Sequence, residues 1–193
     1  VGAQRDRAGP QKCNLYYRAK GTGAGPQRFN PVGSQGGRDA QISSGTPVLP
    51  RCLHPLDQIG CLMQTTFQIA TSGQGLYEFT GDVAGWVRGQ GDGLLTLMVR
   101  HTSASLLIQE NADPEVQTDL LAYFQRLVPP TTDPSMRYLT HTYEGPDDMP
   151  AHIKAAMLPV SLSIPVTSGQ MRLGKCQGIF LFEHRDAAHG RSV

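Results

Sequence analysis

The chain has 193 residues, with 17 Lys and Arg against 16 Asp and Glu and a formal net charge of +1. That length permits one ordinary domain, or one domain with a long appendage, and the balanced charge gives no nucleic-acid signal. No stretch approaches 18 consecutive apolar residues, which excludes a helical membrane span from the sequence.

Composition changes sharply at Met63. Residues 1–62 carry eight Lys and Arg against three Asp, and 16 of the 36 glycines and prolines. Apolar periodicity is almost missing there, so the segment cannot bury enough surface to offset the entropy of ordering it. Residues 1–62 therefore read as loop throughout. They are expected to be a disordered extension, translated from upstream of a true start at Met63, rather than a basic arm for a partner. Cys13, Cys52, Cys61 and Cys176 form no CxxC pair, which argues against a zinc ribbon or a redox motif. Without an apolar leader, a cytoplasmic protein with reduced thiols is the expectation.

From Met63 the patterning becomes regular, and residues 63–193 read as one domain. Gln64 to Thr71 alternates like a half-buried strand. Leu76 to Arg88 suits a short helix, and Leu94 to Val99 an apolar central strand. Ser105 to Gln109 reads as another strand. Asp113-Pro114-Glu115 has the form of a helix start, with an N-cap carboxylate, proline in the first turn and an acid behind it. Val116, Leu120, Leu121, Phe124 and Leu127 follow at helical spacing until Pro129-Pro130. Val160 to Val166 and Ile179 to Phe182 read as closing strands. The class expected is α+β, a compact mixed-sheet single domain with one main amphipathic helix.

Polar clusters interrupt this scaffold. They are His101-Thr102-Ser103 with Glu110-Asn111, then the run from His141 to Lys154, then Gln177-Gly178 with Glu183 to Asp186. Neutral imidazoles suit Zn²⁺ and carboxylates suit Mg²⁺ or Mn²⁺, while Lys154 and Arg185 could hold an anionic oxygen. The spacing matches no compact zinc motif, so the residues alone name no metal.

The stretches HTSASLLIQENADPEV, HTYEGPDDMPAHIK and RLGKCQGIFLFEHRD closely resemble the YjbQ-like family, often labelled secondary thiamine-phosphate synthase, over residues 63–191. The resemblance implies a homotrimer of α+β subunits around a divalent metal, Zn²⁺, Mg²⁺ or Mn²⁺. It carries over a site in which His101, His141 and His152 bind the metal. Thr102, Ser103 and Lys154 would bind a small phosphorylated substrate, and Glu110, Asn111, Glu144, Asp148 and Lys154 would act in catalysis. The implied activity joins a pyrimidinylmethyl diphosphate to a thiazole phosphate. The alternatives are a metal-dependent hydrolase and a non-catalytic trimeric metal- or ligand-binding protein. Neither a nucleic acid nor a membrane is expected as partner. The chain departs from the family pattern at Lys175-Cys176. It also ends at Val193, where family chains continue into another apolar strand, so an exposed sheet edge is expected.

Overall fold

The fold is built around one strand buried on both faces. In the computed structural model, which describes residues 41–44 and 63–193, that strand is β8 (Gln177–Glu183). Side chains alternate across a sheet. Ile179 and Leu181 therefore enter the main core with Tyr77, Phe79, Val83, Leu97, Leu106 and Ile164. Phe180 and Phe182 point the other way, against Leu120, Leu121 and Phe124 of the helix α2 (Pro114–Leu127). The Phe124 and Phe182 rings meet edge-on at 5.6 Å. An unbroken apolar run is what a strand covered on both faces requires.

β8 lies between β3 (Gly75–Glu78) and β5 (Ala104–Glu110), antiparallel to both. A second sheet orders β4 (Gly93–Met98), β6 (Ser161–Thr167) and β7 (Gln170–Met171), and a third orders β1 (Gln41–Ser44), β2 (Phe67–Ala70) and β9 (Gly190–Ser192). The helices α1 (Thr80–Val87) and α3 (Asp148–Met157) complete the set with α2. The α+β class is as expected. The described pairings are all antiparallel rather than mixed. Among the described residues there are three α-helices, where a short helix and one main amphipathic helix were expected. No helix among the described residues is long and apolar enough to cross a membrane.

Several expectations change. Leu76 to Glu78 is strand, not the start of a helix, because register with Phe182 to Phe180 of β8 outweighs local pattern. Helix α1 begins only at Thr80. β4 has a single strand neighbour among the described residues, so it lies at a sheet edge, and the central position belongs to β8. Residues 190–192 form the strand β9. Phe67 N–H donates to the Val193 carbonyl at 2.8 Å and Val193 N–H returns the bond at 3.0 Å. The end of the described chain is thus paired as a strand, where the sequence pattern named none. The disorder expected for residues 1–62 lies outside the described residues, apart from β1, which is strand where loop was expected. Cys176 is disulfide-bonded, so the expectation of reduced thiols does not hold for it.

Helix α3 lies within the polar run from His141 to Lys154, to which the sequence pattern assigned no helix. Gly145 (φ 108°) turns the chain ahead of it, in a left-handed conformation costly for any other residue. Pro150 then sits in the first helical turn, where its missing N–H costs nothing.

Candidate metal centre

The segment between β4 and β5 supplies His101, Thr102 and Ser103. The loop ahead of α3 supplies His141 and Glu144, and α3 itself supplies Asp148 and His152. Residues four apart on a helix share a face, so Asp148 and His152 stand together, with His152 Nε2 3.4 Å from Asp148 Oδ2. His141 reaches the same oxygen from its loop, Nε2 to Oδ2 at 2.9 Å. One ligand atom from each of His141, Asp148 and His152 lies within 4.8 Å of the others. Asp148 is buried, whereas the His141 and His152 side chains are 28% and 35% exposed. A buried carboxylate thus forms the base, and two imidazoles form a mouth open to solvent.

Surrounding groups fix His152 and Asp148. His152 Nδ1 lies 3.1 Å from the Thr102 carbonyl oxygen. A carbonyl only accepts, so Nδ1 carries the proton and Nε2 keeps its lone pair toward Asp148 and His141. The Arg185 guanidinium donates through Nη1 to Asp148 Oδ1, which leaves Oδ2 to face the histidines. The same guanidinium donates through Nε to Asp147 Oδ2 at 2.9 Å and through Nη2 to the Glu144 carbonyl at 3.0 Å. Burial opposes the Arg185 charge, but bonding to Asp147 and the charges of Asp147, Asp148 and Glu144 raise its pKa above the usual value. Burial also opposes the Asp147 charge, yet the Asp186 N–H and Arg185 hold its carboxyl below the ordinary range. Glu144 stands at the rim, Oε1 4.0 Å from His141 Nε2 and more than half exposed.

The other expected residues are placed differently. His101 is outside the three-residue cluster. Its Nδ1 accepts from the Ser103 N–H at 3.2 Å, and burial, then the charge of Arg191, push its pKa down. Ser103 is buried, and its Oγ accepts from Arg191 Nη2 at 3.1 Å. Thr102 offers its backbone carbonyl rather than its hydroxyl. Glu110 and Asn111 lie at the far end of β5, roughly 20 Å along the strand from Ala104 at about 3.3 Å per residue; there Asn111 Nδ2 donates to Glu78 Oε1 at 2.9 Å. Lys154 is buried on a different face of α3 and donates to Gln74 Oε1 at 3.2 Å. Burial lowers its pKa, partly offset by the charges of Asp186 and Asp147. Of the two cations expected to hold an anionic oxygen, Arg185 is therefore committed to Asp147, Asp148 and Glu144, and Lys154 faces away from the three-residue cluster.

Sequence reasoning had Asp148 in catalysis rather than among the ligands. Its four-residue spacing from His152 becomes a signal once the segment is read as helix. It also missed an interior cluster behind the site. Arg191 Nε and Nη2 both reach the Glu183 carboxylate at 2.6 Å, and Thr71 Oγ1 donates to it at 3.0 Å. The backbone N–H groups of His184 and Arg185 complete its bonding at 3.0 Å each. His184 Nε2 meets Ser105 Oγ at 2.9 Å, while its Nδ1 has no hydrogen-bond partner among the described residues. Burial, then the charges of Lys154 and Arg191, push the His184 pKa down to about 3. Nothing in the spacing of Glu183, His184 and Arg191 forecasts this cluster.

A family model described as UPF0047 protein YjbQ-like matches residues 65–193. The UPF0047 protein sll1880 of Synechocystis sp. is 48% identical over 132 residues, covering 67% of this chain and 87% of that protein. Among solved structures, a conserved hypothetical protein of Thermus thermophilus is 32% identical with a TM-score of 0.58, covering 67% of this chain and 95% of that one. An uncharacterized conserved protein of the yjbq/upf0047 family from Clostridium acetobutylicum is 30% identical with a TM-score of 0.58, at the same coverages of 67% and 95%. These designations overturn the thiamine-phosphate synthase reading: they stop at UPF0047, hypothetical and uncharacterized, and attach no synthase activity to the family or these relatives.

Proposed function

This chain belongs to the YjbQ-like UPF0047 family, and from that premise we propose that it is a metal-binding protein whose divalent ion is held by His141, Asp148 and His152. The observation that carries the reading is the convergence of two imidazole Nε2 atoms on one buried carboxylate oxygen, within 4.8 Å. The donor set fits such an ion: the Thr102 carbonyl and Arg185 tie back His152 Nδ1 and Asp148 Oδ1, which leaves His152 Nε2 and Asp148 Oδ2 toward the centre, and the proton that His141 Nε2 shares with Asp148 Oδ2 would give way to the ion. Two nitrogens with one oxygen suit Zn²⁺ or Mn²⁺ better than Mg²⁺, which favours oxygen ligands and keeps its waters.

Bound there, a divalent ion supplies Lewis-acid polarisation of an oxygen atom on the molecule that completes its coordination. The residues do the rest. The Thr102 carbonyl keeps the proton on His152 Nδ1, and Arg185 holds Asp148 in one rotamer. Glu144 stands beside His141 at the solvent side, where it can exchange a proton with an incoming ligand. A homotrimer is part of the same proposal. Leu94 and Met98 are 67% and 61% exposed on the edge strand β4, an apolar edge that a neighbouring copy would cover. Light scattering tests the assembly.

Titration with Co²⁺, followed by visible absorption, tests the metal reading. The expected result is a spectrum that saturates at one ion per chain in the wild type and is lost in His152→Ala. No absorption in the wild type would contradict the proposal.

A further inference from the structure

Helix α3 borders a cavity on the side away from the metal centre. Residues two apart on a helix diverge by about 200°, so Pro150 and Lys154 point well away from Asp148 and His152, with the buried Ala151 and Ala155 between them. On that side a cavity of about 230 Å³ lies between α2, α3 and the turn joining β2 to β3. Val128 and Pro150 give it apolar walls, Gln74 and Gln125 line its polar side, and Lys154, Asp147 and Asp186 bring charge to it.

Lys154 is the anomaly. Its side chain is 2% exposed, yet among the described residues its ammonium has one hydrogen-bond acceptor, Gln74 Oε1 at 3.2 Å, and no ion pair. An ammonium has three donors, and a buried charge is costly unless paired. The acids of the cavity do not fill that need. Asp147 is engaged by Arg185. Asp186 is exposed, and its Oδ1 accepts from Gln74 Nε2 at 2.7 Å. A simple anion would meet Lys154 but be repelled by Asp186. A simple cation would meet the reverse. A ligand with one charge of each sign satisfies both.

We propose that this cavity binds a small zwitterion of the amino-acid class, its carboxylate on Lys154 and its ammonium on Asp186. The volume lies below the range of about 300–1,000 Å³ usual for drug-sized ligands, which limits the occupant to a short body between its two charges. Val128 and Pro150 would cover that body. The site is separate from the metal centre and does not depend on it.

Isothermal titration of the full chain with each of the twenty standard amino acids tests this, with acetate, inorganic phosphate and ethylamine as single-charge probes. At least one amino acid is expected to bind with one site per chain, and each single-charge probe to bind about tenfold or more weakly. Lys154→Met and Asp186→Asn should each weaken that binding about tenfold or more, and EDTA treatment should leave it unchanged. Asp186 is exposed, so its variant remains informative if Lys154→Met does not fold. The proposal is overturned if no amino acid binds, if acetate or phosphate binds as tightly, or if binding survives in Asp186→Asn. Because the binding is expected with or without metal, failure of the metal reading would leave this site standing.

Discussion

Two clusters of histidine, carboxylate and arginine lie close together in this protein, and the same side-chain types do opposite things in them. Behind the strand β5, Glu183 and Arg191 are almost wholly buried, and each carboxylate oxygen accepts from at least two donors of the protein itself. At the start of α3, Asp148 is equally buried, but one of its oxygens faces two half-exposed imidazoles. In the first cluster the Glu183 carboxylate is met from within on both oxygens, so it holds the fold. In the second, two imidazoles reach one carboxylate oxygen on a side open to solvent, and that is the arrangement the proposed metal would use. Burial and bonding separate the two roles; residue identity does not.

The largest effect that would break the contrast is on stability. Glu183→Gln leaves the Arg191 charge buried with half its partner gone. It should cost about 3–5 kcal/mol, read as a lowered urea midpoint at constant slope. A loss under about 1 kcal/mol would mean that the interior cluster is not what holds these strands.

The next effect is the pH dependence of the same cluster. The His184 pKa is about 3 in the folded protein against 6.5 for the free side chain. The unfolded chain therefore binds the extra proton between those values. Stability from this group is complete above pH 6.5 and is lost as pH falls toward 3. Wild type should lose on the order of a few kcal/mol more than His184→Gln across that window, by chemical denaturation at stepped pH. Parallel curves for the two proteins would show that His184 is not held neutral.

A smaller, sharper effect concerns the link between the clusters. Arg185 orients Asp148 from behind, and Lys cannot reproduce three bonds from one planar group. Arg185→Lys should weaken Zn²⁺ binding about 10- to 100-fold while changing stability much less than Glu183→Gln does. Equal Zn²⁺ affinity in the two proteins would remove Arg185 from the site.

The fold was legible where local pattern and tertiary packing agree. The capping and spacing of Asp113 to Leu127 are those of α2, whose Asp113 Oδ1 accepts from the Glu115 N–H at 2.9 Å. The apolar run at Ile179 to Phe182 is β8. Patterns failed where partners far along the chain decide. Leu76 to Glu78 could continue toward α1 on local preference, but pairing with β8 makes it strand. For α3, Gly145-Pro146 and Pro150 read as turn chemistry, though proline is tolerated in the first helical turn. That one misreading hid the four-residue spacing of Asp148 and His152, and with it the third ligand. The histidines themselves were legible as a group, but which of them meet was not. His101 is taken by Ser103 through a local bond that no spacing rule predicts. Glu183 and Arg191 are joined only by the meeting of β8 and β9.

Metal stoichiometry is the most direct test of the contrast between the clusters. Purified protein would be stripped with EDTA, reconstituted with Zn²⁺, dialysed and measured by elemental analysis beside Asp148→Asn and a control, His54→Ala, at a histidine of the N-terminal segment that lies outside the described residues. One zinc per chain is expected in the wild type and in His54→Ala, and a large loss in Asp148→Asn, with folding of each checked by circular dichroism. Zinc-free wild-type protein, also empty after reconstitution with Mn²⁺, would contradict the account and make the cluster at α3 as structural as the one behind it.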